Sequence, residues 1–277
     1  LKQQTINFTK KHKYLIITLT ITIILIFWML WGNYSIQTTH FTVQDEELPE
    51  SFNGYKIAQV SDLHNKDWGS QLIEKLQEEE PDIIVLTGDL IDSSKTDLPT
   101  ALEFIDQSKE IAPLYFVTGN HEAWSEEYVQ LKAELVEREI TILDNQSIFI
   151  SKGSSQIMLA GLQDPTFQNS SPEETLKTLS SRFEGFKILL SHRPELYETY
   201  AAQDFQLVFS GHAHGGQFRI PFIGGLIAPD QGIFPEYTAG IYTENQTHMI
   251  VSRGLGNSII PVRINNRPEL ITVTLKN

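Results

Sequence analysis

Apolar positions are spread along this 277-residue chain in two different ways. From Tyr14 to Trp31 they run almost unbroken: YLIITLTITIILIFWMLW holds no charge and no helix breaker. A helix of that length, at about 1.5 Å per residue, spans roughly 27 Å, close to the hydrocarbon core of a bilayer. From Lys56 onward the apolar residues come in short bursts rich in β-branched side chains: KIAQV, DIIVLT, LYFVT, KILLS and FQLVFS. Each burst closes in a polar cluster, in order SDLHN, GDLID, GNHE, HRPE and GHAHGG. Segments of helical period lie between the bursts. Ser70–Glu80 and Leu98–Glu110 are two of them. Ser125–Glu139 opens with a serine in capping position and acids in its first turn, and Ser171–Phe183 has Pro172 at the first helical position. Residues 140–162 read as strands joined by a Gly/Ser turn, and 237–275 as further hairpin strands. Strand, polar loop and helix in alternation predict an α/β core of two sheets flanked by helices.

The flanks of the long apolar run give it a direction. Lys2, Lys10, Lys11 and Lys13 precede it, and Asp45, Glu46 and Glu47 follow. The positive-inside rule makes residues 1–13 a cytoplasmic basic tail and 14–34 a transmembrane signal anchor. Residues 35–53, with the alternating stretch TTHFTV, are then an approach segment outside the membrane, and 54–277 an extracytoplasmic domain. Trp28, Trp31 and Tyr34 fall at the far headgroup layer. A cleaved signal peptide has an apolar core of about 7–15 residues and a small-x-small site behind it. This run is longer and has no such site, so the expectation is a single-pass protein of the cell membrane.

Charge and composition narrow the chemistry. The formal net charge is -14 and the pI near 5.0, the opposite of the basic face that a nucleic-acid binder carries. An anionic substrate has to be attracted locally, for instance by metal ions. The chain has no cysteine, which removes disulfides and thiolate ligands.

In open α/β sheets, ligands gather at the carboxyl ends of strands, and all five polar clusters fall there. Asp62 and His64 come from the first, Asp89 from the second, Asn120 and His121 from the third, His192 from the fourth, His212 and His214 from the fifth. Five of the eight histidines belong to this set. An isolated H-x-H pair is most simply a solvated loop; beside four other such clusters it is not. The donors suit borderline divalent cations, Mn²⁺, Fe²⁺ or Zn²⁺, and exceed one closed tetrahedral site. They fit two metals sharing a carboxylate. Gly211 and Gly215 would let the segment turn, so that His212 and His214 address different metals. Two cations attract a phosphodiester despite the acidic chain, and clamp the attacking and leaving oxygens of an in-line displacement. His121 is the candidate acid for the leaving group, with Asp92 placed to hold its second nitrogen.

SDLH, GDLID, GNHE, SHRPE and GHAHGGQ together resemble the calcineurin-like metallophosphoesterase superfamily over about residues 54–275. GGQFRIP, SRGLG and PVRINNRPE resemble its bacterial, membrane-anchored branch. The resemblance implies a four-layer α/β sandwich of two mixed β-sheets flanked by helices, here preceded by one transmembrane helix. It implies that Asp62, His64 and His214 hold one metal, that Asn120, His192 and His212 hold the other, and that Asp89 bridges them. It makes 54–277 a metallophosphoesterase domain, hydrolysing phosphodiester or pyrophosphate bonds by attack of a metal-bridging hydroxide. The protein serine/threonine phosphatases follow the second block with RG; GDLIDSS lacks that arginine, which argues against a phosphoprotein substrate.

Some members of the branch act on phospholipids or on the pyrophosphate of a UDP-linked diacylated sugar. The apolar, Gly/Pro-rich segment 218–235 next to the last block is either a buried connection or a lip that faces the bilayer or cradles acyl chains. The second reading makes the partners the bilayer itself and a lipid-linked or envelope phosphoester. A UDP-2,3-diacylglucosamine-type pyrophosphate is an alternative substrate. Arg193, Arg219 and Arg253 are candidate contacts to phosphate, and Lys66 and Trp68 candidate entrance residues. The alternative of another class is a non-catalytic, metal-dependent envelope scaffold or binding protein.

Overall fold

The computed structural model describes residues 2–257 and 260–277, the stretch 2–11 by its backbone alone. Leu1 and the side chains of Lys2, Lys10 and Lys11, most of the basic tail, lie outside the described residues. The long apolar run forms α1 (Lys2–Tyr34). Within it His12–Tyr34 is long and apolar enough to cross a membrane, with a mean hydropathy of 2.4 and its most apolar window unburied by protein. Lipid is the surround that keeps such a surface from water.

The β-branched bursts form strands where they fall. The first half of the chain supplies β1 (Gln37–Gln44), β2 (Lys56–Val60), β3 (Ile83–Thr87), β4 (Leu114–Val117) and β5 (Thr141–Ile142). Then come β6 (Gln146–Lys152), β7 (Ser155–Gly161), β8 (Lys187–Leu190) and β9 (Leu207–Ser210). Two small hairpins follow, β10 (Arg219–Ile220) with β11 (Gly224–Gly225), and β12 (Ile227–Ala228) with β13 (Gly232–Ile233). The last strands are β14 (Gly240–Glu244), β15 (Thr247–Val251) and β16 (Glu269–Lys276). Among the described residues the larger strands make two six-stranded mixed sheets, ordered β1-β16-β2-β3-β4-β5 and β14-β15-β9-β8-β7-β6.

Side chains alternate across β2 and β3. Ile57, Ile83 and Val85 meet Ile188, Leu190, Leu207 and Phe209 of the second sheet. Ala58, Val60, Ile84 and Leu86 point the other way, onto α2 (Ser70–Glu79), α3 (Leu98–Ser108) and α5 (Tyr128–Glu137). The far face of the second sheet packs Leu189 and Val208 against α6 (Pro172–Ser180) and α7 (Tyr197–Ala201). The order helix, sheet, sheet, helix is the four-layer sandwich. Strands covered on both faces read as continuous apolar runs, which is why the bursts were visible. Gln59 ties the two sheets at the polar end of their shared core, donating to Thr87 Oγ1 (2.9 Å) and Ser210 O (2.8 Å).

Three local expectations change. Residues 35–53 are built into the fold: β1 pairs in parallel with β16, and Val43 and Phe52 are buried between the sheets. Only β14 and β15 form the expected C-terminal hairpin, because β16 crosses to the first sheet and lies between β1 and β2. Ser125 ends a short helix, α4 (Asn120–Trp124), instead of starting α5. GNHE makes its own helical turn, closed by the Glu122 carboxylate accepting from Gly119 N–H at 2.7 Å.

Candidate metal centre

The loops after β2, β3, β4, β8 and β9 converge on one rim. Ligand atoms of Asp62, His64, Asp89 and His214 lie within 4.8 Å of one another, and so do those of Asp89, His192 and His212. The two groups share Asp89. Its Oδ2 is 3.6 Å from His64 Nε2 and 3.1 Å from His192 Nε2. His64 Nε2 faces His214 Nε2 at 3.2 Å, and His214 Nε2 is 3.4 Å from Asp62 Oδ1. On the other side His192 Nε2 is 3.2 Å from both Asn120 Oδ1 and His212 Nδ1.

The backbone bends hard to bring these atoms together. Asp62, His64, Asp89, His212 and His214 all take left-handed φ, between 46° and 64°. Asp and His accept that region better than most residues, yet each still costs about 1–3 kcal/mol. The turn at the H-x-H segment is made by the two histidines and by Gly215 (φ 64°). Gly211 plays a different part from the one expected. A Cβ there would stand 1.9 Å from Ser61 Oγ and 2.5 Å from Asp62 Oδ2, so it is glycine to let β9 approach the first loop.

The residues fit a pair of cations. Burial draws His64 down to about 3 against the pull of Asp89, and burial with Arg263 holds His214 well below its usual range. Both rings are therefore neutral, the form of imidazole that can give a lone pair to a cation. His192 is the reverse. Burial opposes its charge, but the Asp89 carboxylate outweighs burial and pushes it up to about 10. The field that holds a proton there would hold a metal ion. His192 Nδ1 lies 2.7 Å from Thr87 O, where it donates its proton and leaves Nε2 facing the site.

Asp92, expected beside His121, has a carboxylate oxygen within 4.8 Å of ring nitrogens of both His121 and His64. Its Oδ1 accepts from Ser94 N–H and Oγ (2.8 and 2.5 Å), and its Oδ2 lies 3.7 Å from His64 Nδ1. His121 Nδ1 accepts from Ser93 N–H at 3.0 Å.

The three arginines expected at substrate each have partners within the protein. Arg193 is buried and donates to Asp164 twice, Nε–Oδ2 2.6 Å and Nη2–Oδ1 3.1 Å, with further bonds to Thr166 and Asp230. Arg219 donates to Gly215 O and Thr238 Oγ1, and Arg253 pairs with Glu269 at 2.7 Å. Lys66 is half-buried; burial, then Arg263, lowers its pKa.

Sequence reasoning missed four residues that hold the ligands in place. Glu122 accepts from the N–H groups of Asp89, Ile91 and Gly119, pinning two ligand loops together; burial and then Asp89 push it up to about 8. Arg263 is buried 3.5 Å behind His214 Nδ1. Asp164 receives Arg193. Its place after β7, in line with the other strand-end clusters, was the available signal. Asp230, from the apolar segment 218–235, has Oδ2 2.9 Å from His212 Nε2, and Arg193 Nη1 is 2.9 Å from the same nitrogen, while the ring's Nδ1 faces His192. Asp230→Asn is expected to weaken Mn²⁺ affinity about 10–100-fold, as loss of a carboxylate behind a ligating histidine does. Calorimetric titration measures it, and unchanged affinity would show that Asp230 does not orient His212.

Residues 55–216 match the calcineurin-like phosphoesterase family. The chain is 34% identical over 253 residues to YkuE of Bacillus subtilis (strain 168), an uncharacterized metallophosphoesterase, with 88% of this chain and 87% of that one covered. It is 30% identical over 250 residues to a transmembrane protein with metallophosphoesterase domain from Danio rerio, covering 83% of this chain and 55% of the relative. The chain thus spans about half the length of that vertebrate protein. Identity to the phosphodiesterase YaeI of Escherichia coli (strain K12) is 29% over 230 residues, with 80% and 82% covered. Match and geometry agree on the same strand-end blocks, and the chain belongs to the calcineurin-like metallophosphoesterases, a family of metal-dependent phosphoester hydrolases.

Proposed function

We propose that the protein hydrolyses phosphodiesters at a centre of two divalent cations. Asp62, His64 and His214 hold one, Asn120, His192 and His212 hold the other, and Asp89 is shared. The observation that carries this is the position of Asp89 Oδ2, within 3.6 Å of His64 Nε2 and 3.1 Å of His192 Nε2. Manganese, iron and zinc suit such a nitrogen and oxygen donor set. Bound there, the pair supplies charge neutralisation at the phosphoryl oxygens and activates water near neutral pH. The chain contributes orientation. Asp89 and His192 set the spacing, and Arg193 and Asp230 lock His212. His121 offers Nε2–H to an oxygen of the ester, because Ser93 N–H occupies Nδ1.

The substrate in this reading is membrane- or lipid-linked. Phe222, Ile223, Ile233 and Phe234 are exposed on the 218–235 segment. A cavity of about 360 Å³ beside His214 is lined by Ile227, Ala228, Pro229 and Ile260. Phe218 bridges Ile264, and Arg263 bonds to Asn33 of α1, so the lip is tied to the helix end. The lysines before the apolar run and the acids after it support an orientation with the domain outside the cell membrane. Hydrolysis of bis-p-nitrophenyl phosphate by the full chain tests the reaction. Turnover is expected, lost with EDTA and restored by Mn²⁺, Fe²⁺ or Zn²⁺. Absence of turnover with every metal would favour a binding protein instead.

A further inference from the structure

The metal centre has a second flank, on the side of α1. A cavity of about 420 Å³ is walled by Met29 and Leu30 of α1 and by Pro261 and Val262 opposite, and it reaches Lys66 and His64. The helix is clamped against it. Asn33 donates to Arg263 O (3.0 Å) and accepts from Arg263 N–H (2.7 Å), and the Arg267 guanidinium lies 4.3 Å over the Trp31 ring. Lys66 Nζ stands 4.6 Å from the Tyr34 ring centroid and 5.2 Å from that of Trp68. Among the described residues it forms no ion pair with a carboxylate. One cavity therefore joins the apolar end of a membrane helix, an ammonium with no anion, and a ligand of the metal centre.

We infer that the last turns of α1 are part of the substrate site: the alkyl chain of a lipid phosphodiester lies along Met29 and Leu30 while its phosphate meets Lys66 beside His64. The lipid then reacts without leaving the bilayer, which avoids carrying a long chain through water. A protein partner would gain nothing from an apolar wall that the bilayer already covers. This rests on the phosphodiesterase reading above and adds to it a surface, a cation and a route.

The test uses the full chain in phosphatidylcholine vesicles with two esters of the same charge and leaving group, hexadecyl p-nitrophenyl phosphate and ethyl p-nitrophenyl phosphate. The wild-type chain should prefer the long ester by about tenfold or more in kcat/KM. Leu30→Trp fills the cavity with a residue at home in the interface, and should lower that preference about tenfold. Lys66→Met keeps the stem and removes the charge; it should raise KM about tenfold for both esters, the loss of one charge-assisted contact. No preference in the wild type, or a preference and KM within about twofold of wild type in both variants, overturns the inference. Failure of the wild type to hydrolyse either ester overturns the phosphodiesterase reading, and the inference with it. The two failures are thus separable.

Discussion

Asp89→Asn is expected to lower kcat for bis-p-nitrophenyl phosphate about a thousandfold or more, the loss of several kcal/mol of charge stabilisation. The substitution is chosen for what it keeps. Asp89 has φ 52°, a conformation that asparagine tolerates well. An Asn Oδ1 can still accept from His121 N–H, as Asp89 Oδ1 does at 2.8 Å. Only the shared negative charge between His64 and His192 goes. The fold should survive, since the variant also relieves the repulsion between Asp89 and the buried Glu122. Steady-state kinetics at saturating Mn²⁺, with circular dichroism as a folding check, give the answer. A folded variant within tenfold of wild type would mean that the shared carboxylate does not organise the centre.

Arg193→Ala is expected to be among the most damaging single changes to stability. It strips the partner from Asp164, which is 2% exposed. Breaking a buried pair from one side costs about 3–5 kcal/mol. For a domain of this size that is a fall of about 6–20 °C in Tm. The pH dependence has a definite sign. Burial alone would raise the Asp164 pKa; the Arg193 hydrogen bonds outweigh it and hold the group below its ordinary value. The pair's contribution is therefore present above the ordinary carboxylate pKa of about 3.9 and is lost as pH falls below it. In the variant, Asp164 escapes its penalty by taking a proton. The gap in Tm between variant and wild type should narrow toward acid pH. A gap that is small at pH 7, or that widens in acid, would refute this account of the pair.

Which features could be read in advance follows from where their partners lie. The strand-end residues carry local marks: an apolar burst, then a glycine or serine, then an acid, amide or imidazole. Each mark is complete within a few residues, and the α/β rule for strand ends then collects them on one rim. Strand β16 has no such mark. Its place between β1 and β2 depends on segments more than two hundred positions away, and local periodicity cannot separate a hairpin arm from a long crossover. The same holds for Asp164 and Asp230. Their partners, Arg193 and His212, sit 29 and 18 positions away with no fixed spacing. The Ser93 N–H on His121 Nδ1 had no local mark either, because it depends on how the loop after Asp89 turns. Gly211 leaves room for the first loop instead of acting as a hinge, a distinction that only the neighbouring Ser61 and Asp62 reveal.

In this reading the shared carboxylate joins the two halves of the centre. Crystals of the full chain grown with manganese, measured at a wavelength where manganese scatters anomalously, test it most directly. Two anomalous peaks are expected, about 3.5–4 Å apart. One should be flanked by Asp62, His64 and His214, the other by Asn120, His192 and His212, with Asp89 touching both. A single peak, or two peaks that leave Asp89 uncoordinated, would contradict the account.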